Sequence, residues 1–102
     1  MNTTRQSFFD QPQKFSQLIW DYKLSPQDFF AILDGEKSNG WFTQDWAIAR
    51  VLDNLNYYEA MSLVSPKILS GHWPTVKKKL FKETIRDGYE FVLQRQSLSV
   101  AR

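Results

Sequence analysis

The sequence of 102 residues contains no cysteine and only one histidine, His72. The absence of cysteine excludes disulfide bonds, a thiol nucleophile and cysteine-ligated zinc. A lone histidine gives no metal-ligand spacing, so neither a metal site nor a cofactor is expected. No apolar run approaches the ~20 residues that span a bilayer, and residues 1–13 lack a stretch typical of a signal peptide. These absences predict a soluble, cytoplasmic protein without membrane contact.

The sequence also lacks the motifs of common enzymes. It contains no glycine-rich phosphate loop, no Ser-His-Asp arrangement and no deaminase or protease signature. Asp34 and Glu36 are close in sequence, but they fall at a predicted helix end and turn, where solvated carboxylates are ordinary. We therefore expect that the protein is not an enzyme.

Aromatic residues are abundant, at 16% of the chain. Such residues supply most of the buried area in a small core, and tryptophan and tyrosine are enriched at interfaces. Trp41 and Trp73 each lie beside a predicted loop. They are the candidate interface aromatics, with packing in the core as the alternative for each.

The local patterns predict an all-α fold, a compact single domain of about six short helices in an irregular bundle. The helical domain is placed at residues 12–95. Residues 1–11 are expected to be a flexible N-terminal segment, from which Phe8 and Phe9 could still dock, and residues 96–102 a flexible C-terminal tail.

Helix boundaries are predicted from capping residues. Ser25 followed by Pro26 is typical of a helix start, and Gly35 is typical of a helix end in the left-handed conformation. A broad apolar stripe predicts a largely buried central helix in residues 41–55. Asn56 is the expected N-cap of the helix that follows.

Glycine and proline set the predicted boundaries in the last third of the chain. A short helix after Ser65 is expected to end at Gly71, and a new helix is expected to begin at Pro74 and end before Gly88. His72 and Trp73 would then occupy the junction. Residues 89–95 fit a helix or a strand, and the helix is favoured.

Residues 71–102 carry seven basic and three acidic side chains, a net charge of +4. On one predicted helix at residues 75–87, the basic residues fall on or near one face, and they form the candidate partner or anion contact. That face is either solvated, or it binds phosphate or an acidic protein surface. The basic residues are Lys77, Lys78, Lys82 and Arg86.

Arg50 interrupts the apolar pattern of the central helix. A guanidinium group on an apolar face is costly unless it is paired. It is the candidate member of a structural ion pair, with Asp21, Asp45 or Glu59 as the partner. The alternative is a side chain at the edge of the stripe whose charged end reaches water.

The segments LIWDY and AIARVLDN, followed by a short helix and a lysine-rich last helix, resemble a family of small uncharacterised bacterial helical proteins. Members of that family are often encoded beside nucleotidyltransferase-type toxins. The resemblance covers about residues 15–93, and the turn EKSNG departs from it. It implies an antitoxin-like or adaptor role through protein–protein contact and supplies no catalytic residues.

Two functions are therefore predicted as alternatives. The first is a helical protein–protein interaction module, an antitoxin-like partner of a bacterial toxin, for which a homodimer is also conceivable. The second is a small nucleic-acid-binding domain that uses the basic face of helix 75–87.

Overall fold

The computed structural model describes residues 3–19, 23–38, 40 and 42–100, with the backbone alone for residues 3, 4 and 96–100. The described residues form seven α-helices and one 3-10 turn, with no strand among them. The predicted all-α single domain is confirmed. The elements in chain order are α1 Thr3–Asp10, α2 Pro12–Leu18, α3 Pro26–Leu33, α4 Gln44–Asn54, α5 Tyr57–Leu63, α6 Pro66–Val76, the 3-10 turn Lys77–Lys79, and α7 Glu83–Val100.

The predicted N-caps of α3 and α5 are confirmed by their hydrogen bonds. The Ser25 hydroxyl accepts from the backbone N–H of Asp28 at 3.1 Å. The Asn56 side chain accepts from the backbone N–H of Glu59 at 2.9 Å. Each cap satisfies a donor that has no partner within its own helix.

Gly35 ends α3 in the left-handed conformation, as predicted, with φ of 77°. Its N–H donates to the Ile32 carbonyl at 3.0 Å, and the Glu36 N–H donates to the Ala31 carbonyl at 2.9 Å. This pair of bonds is the Schellman arrangement. Glycine is favoured here because a side chain at this φ is strained.

Helix α4 lies at the centre of the fold and packs against α2, α3, α5 and α6. Its described neighbours cover both sides, so even its small alanines are buried. The central helix predicted for residues 41–55 is therefore confirmed, with a shorter extent. Its buried side chains are Trp46, Ala47, Ile48, Ala49, Arg50, Val51, Leu52 and Asp53.

The N-terminal segment differs from the expected flexible stretch. Residues 3–10 form α1, which packs against α2, α3 and α5. The reason is Phe8, which is fully buried and meets the ring of Phe30 edge-on at 6.0 Å. Arg5 adds an ion pair to Asp34, with 2.7 Å between Nη1 and Oδ2. The helical domain therefore begins near residue 3 instead of residue 12.

Three boundaries predicted from glycine and proline are wrong, and two of them fall within α6. Helix α6 continues through Gly71 and Pro74 and ends at Val76. Leu69, Trp73 and Val76 explain this, because they are buried at helical spacing and their stripe spans both predicted breakpoints.

The same reasoning applies to α7, which runs through Gly88. Ile85, Tyr89 and Leu93 pack toward the core at steps of four residues, so the apolar stripe continues past the glycine. Residues 89–95 are helical, which removes the strand alternative. The predicted tail at residues 96–102 is helical as far as Val100, and residues 101 and 102 lie outside the described part.

Among the described residues, no helix combines the length and the apolar character that crossing a membrane requires.

Candidate interaction surface

The four candidate basic residues do not lie on one helix. Lys77 and Lys78 belong to the 3-10 turn, Lys82 lies in the break between this turn and α7, and Arg86 lies in the first part of α7. The predicted continuous basic helix at residues 75–87 is therefore wrong. The chain turns at residues 80–82, and the basic side chains leave from separate elements.

The fold nevertheless brings three of the four side chains together. A cavity of about 350 Å³ opens between the 3-10 turn and α7. Three cations and two carboxylates line it, so the local charge is mixed. The lining residues are Lys77, Lys78, Arg86, Asp87 and Glu90.

Most of these cations already have an acceptor within the chain. Lys77 lies 3.4 Å from Glu90, and Arg86 lies 3.3 Å from Glu83. Both pairs are partly exposed and long, and pairs of this kind contribute ~0–1 kcal/mol. The side chain of Lys78, alone of the four candidates, makes no hydrogen bond or ion pair with another described residue. The cavity therefore carries much less free positive charge than the sequence suggests.

Lys82 is held by Asp53 and lies outside the cavity lining. Its Nζ donates to the Asp53 backbone carbonyl at 3.1 Å. The buried Asp53 carboxylate accepts from the backbone N–H groups of Phe81 at 3.0 Å and of Lys82 at 3.4 Å. Asp53 thus fixes the start of α7. The residues beside Asp53 in the sequence do not indicate this role.

Of the two candidate interface tryptophans, Trp73 is buried, with 8% of its surface exposed. The prediction of a partly exposed ring is corrected in favour of the core alternative, because Trp73 lies on the inward stripe of α6. Its indole Nε1 is buried with no hydrogen-bond partner among the described residues. Trp41 lies outside the described residues.

Arg50 is buried, which excludes a guanidinium that reaches water. Its Nε and Nη2 both donate to the Leu18 carbonyl, at 3.3 and 3.0 Å. Two of the predicted acidic partners bind elsewhere, since Asp45 contacts His72 and Glu59 contacts Lys14. Asp21 lies outside the described residues, so the ion pair stays a prediction.

His72 lies within α6 instead of at a junction between helices. Its Nδ1 is 2.8 Å from the Asp45 carboxylate, which joins α6 to the first turn of α4. In the described residues no group of three His, Asp or Glu side chains is placed to hold a metal ion. The arrangement around His72 is a two-residue contact between helices.

Among the residues that the structure describes, the sequence analysis missed the most exposed aromatic side chains. Phe81 is 85% exposed, Tyr58 is 81% exposed and Phe91 is 59% exposed. Tyr58 contacts Tyr57 edge-on at 5.6 Å, and Tyr57 in turn contacts Tyr89 at 5.9 Å. The helical phase could have identified Phe91, because it lies two residues from the buried Tyr89 and thus on nearly the opposite face.

Comparison of the chain with protein-family models, with curated protein sequences and with solved structures finds no match.

Proposed function

We propose that the protein is a helical protein–protein interaction module. The observation that supports this is the exposure of Tyr58, Phe81 and Phe91, each with more than half of its surface in contact with solvent. A small domain with a complete core has no folding requirement to leave three large rings in water. Aromatic side chains of this kind are the usual anchors of protein interfaces.

The antitoxin-like role is the finer form of this proposal and rests on the resemblance of LIWDY and AIARVLDN alone. It names the partner as a bacterial toxin of the nucleotidyltransferase type. The broader proposal does not depend on it, since the exposed rings support any protein partner.

An affinity purification from the native organism tests the proposal. The wild-type chain should retain a partner at equal stoichiometry, and Tyr58→Ser and Phe81→Ser should each reduce its recovery. Lys67→Ser is the matched control, because Lys67 is exposed and is not aromatic. Equal recovery with all four proteins, or no stoichiometric partner at any salt concentration, would contradict the proposal.

A nucleic-acid-binding domain is the second candidate, and the cavity lined by Lys77, Lys78 and Arg86 favours it. Binding of this kind depends on released counterions and weakens steeply with salt. The carboxylates of Asp87 and Glu90 in the same lining oppose it. We therefore place it below protein binding.

Fluorescence anisotropy with labelled duplex DNA and RNA separates the two candidates. If the cavity binds nucleic acid, Lys78→Glu should abolish a signal seen at ~50 mM salt. Lys67→Glu makes the same charge change at an exposed site outside the cavity. No binding by the wild-type chain, or equal loss in both variants, would remove this candidate.

A further inference from the structure

Phe81 differs from the other highly exposed rings because no described side chain covers it. Tyr58 contacts Tyr57 edge-on at 5.6 Å, and the guanidinium of Arg95 lies 5.7 Å from the centre of the Phe91 ring. Among the described residues, Phe81 makes neither kind of contact, and 85% of its surface is exposed. Its whole ring is therefore open to a partner.

The backbone that carries this ring is held in place. The Asp53 carboxylate accepts from the N–H groups of Phe81 at 3.0 Å and of Lys82 at 3.4 Å. Leu80, the residue before the ring, packs against the core. A side chain on a fixed backbone loses less conformational freedom when a partner covers it, so its position favours binding.

Unpaired positive charge lies beside the ring, in residues 78–81, which we call the Phe81 turn. Lys78 and Lys79 are both exposed. Neither side chain makes a hydrogen bond or an ion pair with another described residue. The Phe81 turn thus combines one open ring with two free ammonium groups.

The carboxylates nearest to the Phe81 turn are engaged by other groups. The Asp53 carboxylate is buried and accepts from the backbone at the turn itself. The acidic side chains of α7 that lie closest in sequence contact Lys77 or Arg86 instead of the two free lysines. These pairs are Lys77–Glu90, Arg86–Glu83 and Arg86–Asp87.

The distance between the free charge and the ring sets the size of the group that can contact both. Lys78 lines the cavity of about 350 Å³ between the 3-10 turn and α7. It is three residues from Phe81, so their Cα atoms are at most ~11 Å apart. Three residues of an extended peptide cover the same distance.

We propose that the Phe81 turn docks an acidic segment of a protein partner. A large apolar side chain of this segment covers Phe81, and its carboxylates pair with Lys78 and Lys79. The acidic and apolar residues of the segment lie within about three positions of each other, because the turn is no longer than that. This inference rests on the proposed function and names the chemistry of the partner.

The charges and the single ring favour an acidic segment over other anionic partners. Two free cations match a small number of carboxylates. A nucleic-acid strand carries a phosphate at every nucleotide and would bring further negative charge toward the acidic side chains of the cavity. A membrane surface calls for several apolar side chains, whereas the Phe81 turn exposes one large apolar side chain.

A random peptide library displayed on phage tests the chemistry of the partner. The library is panned on the purified chain after binders to the Phe81→Ser protein have been removed. Retained sequences should contain Asp or Glu within about three positions of a large apolar residue. Retained sequences without acidic residues, or no sequence that distinguishes the two proteins, would overturn the proposal.

Fluorescence anisotropy with a synthetic peptide of the most frequent retained sequence tests the contacts. Phe81→Ser should weaken binding about tenfold or more, because the central ring is lost. Lys78→Gln and Lys79→Gln should each weaken it about two- to fivefold. These two losses should shrink at ~1 M salt, which screens exposed charges.

Lys67→Gln is the matched control, since it removes the same charge at an exposed position on α6. It should leave the affinity for the peptide unchanged. Equal losses for Lys67→Gln and Lys78→Gln would overturn the assigned pairing. Phe81→Ser keeps the backbone N–H that Asp53 accepts, so its melting temperature should match that of the wild-type chain.

Two further probes separate an acidic protein segment from other anions. Single-stranded oligothymidylate and vesicles that contain phosphatidylserine should bind more weakly than the peptide at equal salt. Tighter binding of either probe, lost in Phe81→Ser, would overturn the acidic segment in favour of nucleic acid or a membrane surface.

The failure of this inference is distinguishable from failure of the proposed function. If panning yields no acidic peptide but the chain still recovers a stoichiometric protein that depends on Tyr58, the protein-binding function stands. Only the assignment of the acidic contact to the Phe81 turn then fails.

Discussion

Replacing Asp53 should loosen the start of α7, where the chain leaves the 3-10 turn. Its carboxylate accepts the backbone N–H groups of Phe81 and Lys82, at 3.0 and 3.4 Å, just before α7 begins. Asp53 lies in α4 and is 7% exposed, so water cannot easily replace it as the acceptor. Asp53→Asn keeps the shape of the side chain but leaves one oxygen for two donors.

The structure allows a magnitude to be estimated for this change. A hydrogen bond to a charged group contributes ~1.5–3 kcal/mol, and a buried donor left without a partner costs ~1–3 kcal/mol. The bond to Lys82 is long and Phe81 is exposed, which places both contributions toward the lower end. We expect Asp53→Asn to lower the free energy of unfolding by about 1–2 kcal/mol and Asp53→Ala by about 2–4 kcal/mol.

Urea denaturation followed by circular dichroism measures the loss of stability. Hydrogen exchange locates it, and backbone amides of α7 should lose protection before those of α4. Ser25→Ala is a useful control, since it removes an N-cap bond at a distant helix and should leave α7 unaffected. A loss below ~0.5 kcal/mol for Asp53→Ala, or equal loss of protection in α4 and α7, would refute the role assigned to this carboxylate.

The remaining predictions concern three other positions. Burial, with a smaller contribution from Tyr57, raises the pKa of Tyr89 to about 12 from 10.0, so the unfolded chain loses this proton first. Stability that is complete below pH 10 should therefore fall by up to ~2–3 kcal/mol as the pH rises toward 12, and Tyr89→Phe should remove that part of the pH dependence of urea denaturation. Arg50→Met leaves the Leu18 carbonyl without its two donors and should lower the free energy of unfolding by ~1–3 kcal/mol. Gly35→Ala should lower the thermal midpoint, because its φ is 77° and a Cβ atom would lie 3.1 Å from the Gln44 side chain.

The helices predicted best are those that begin and end with local chemistry. Ser25 and Asn56 cap their helices as expected, and Gly35 ends α3 with both Schellman bonds. These features depend on groups within a few residues of each other, so the sequence contains all the partners. The position of α4 could likewise be predicted from the sequence, because its apolar stripe is broad.

The boundaries in the last third of the chain depended on contacts that are distant in sequence. Gly71 and Pro74 are local signals for a helix end and a helix start. The buried stripe of Leu69, Trp73 and Val76 outweighs them, and the contact between His72 and Asp45 holds the same helix to α4.

The candidate site could be predicted only in part from the sequence, because it too depends on contacts between residues that are distant in the chain. The grouping of Lys77, Lys78 and Arg86 is correct in space, but the single helix that was expected to produce it does not exist. Their acidic neighbour Glu90 lies 13 residues from Lys77, so only the folded chain shows that the positive charge is largely paired.

The break at residues 80–82 links these observations. A helix continued from α6 through this point would have kept the lysines in one basic stripe, as the sequence predicts. Asp53 instead holds the backbone at Phe81 and Lys82, which turns α7 away from the 3-10 turn and opens the charged cavity between them. The same turn leaves Phe81 in solvent and directs Tyr89 inward, so Phe91 must face outward. Asp53 variants should therefore disturb both the charged cavity and the exposed position of Phe91, whereas Lys78 variants should affect the cavity alone.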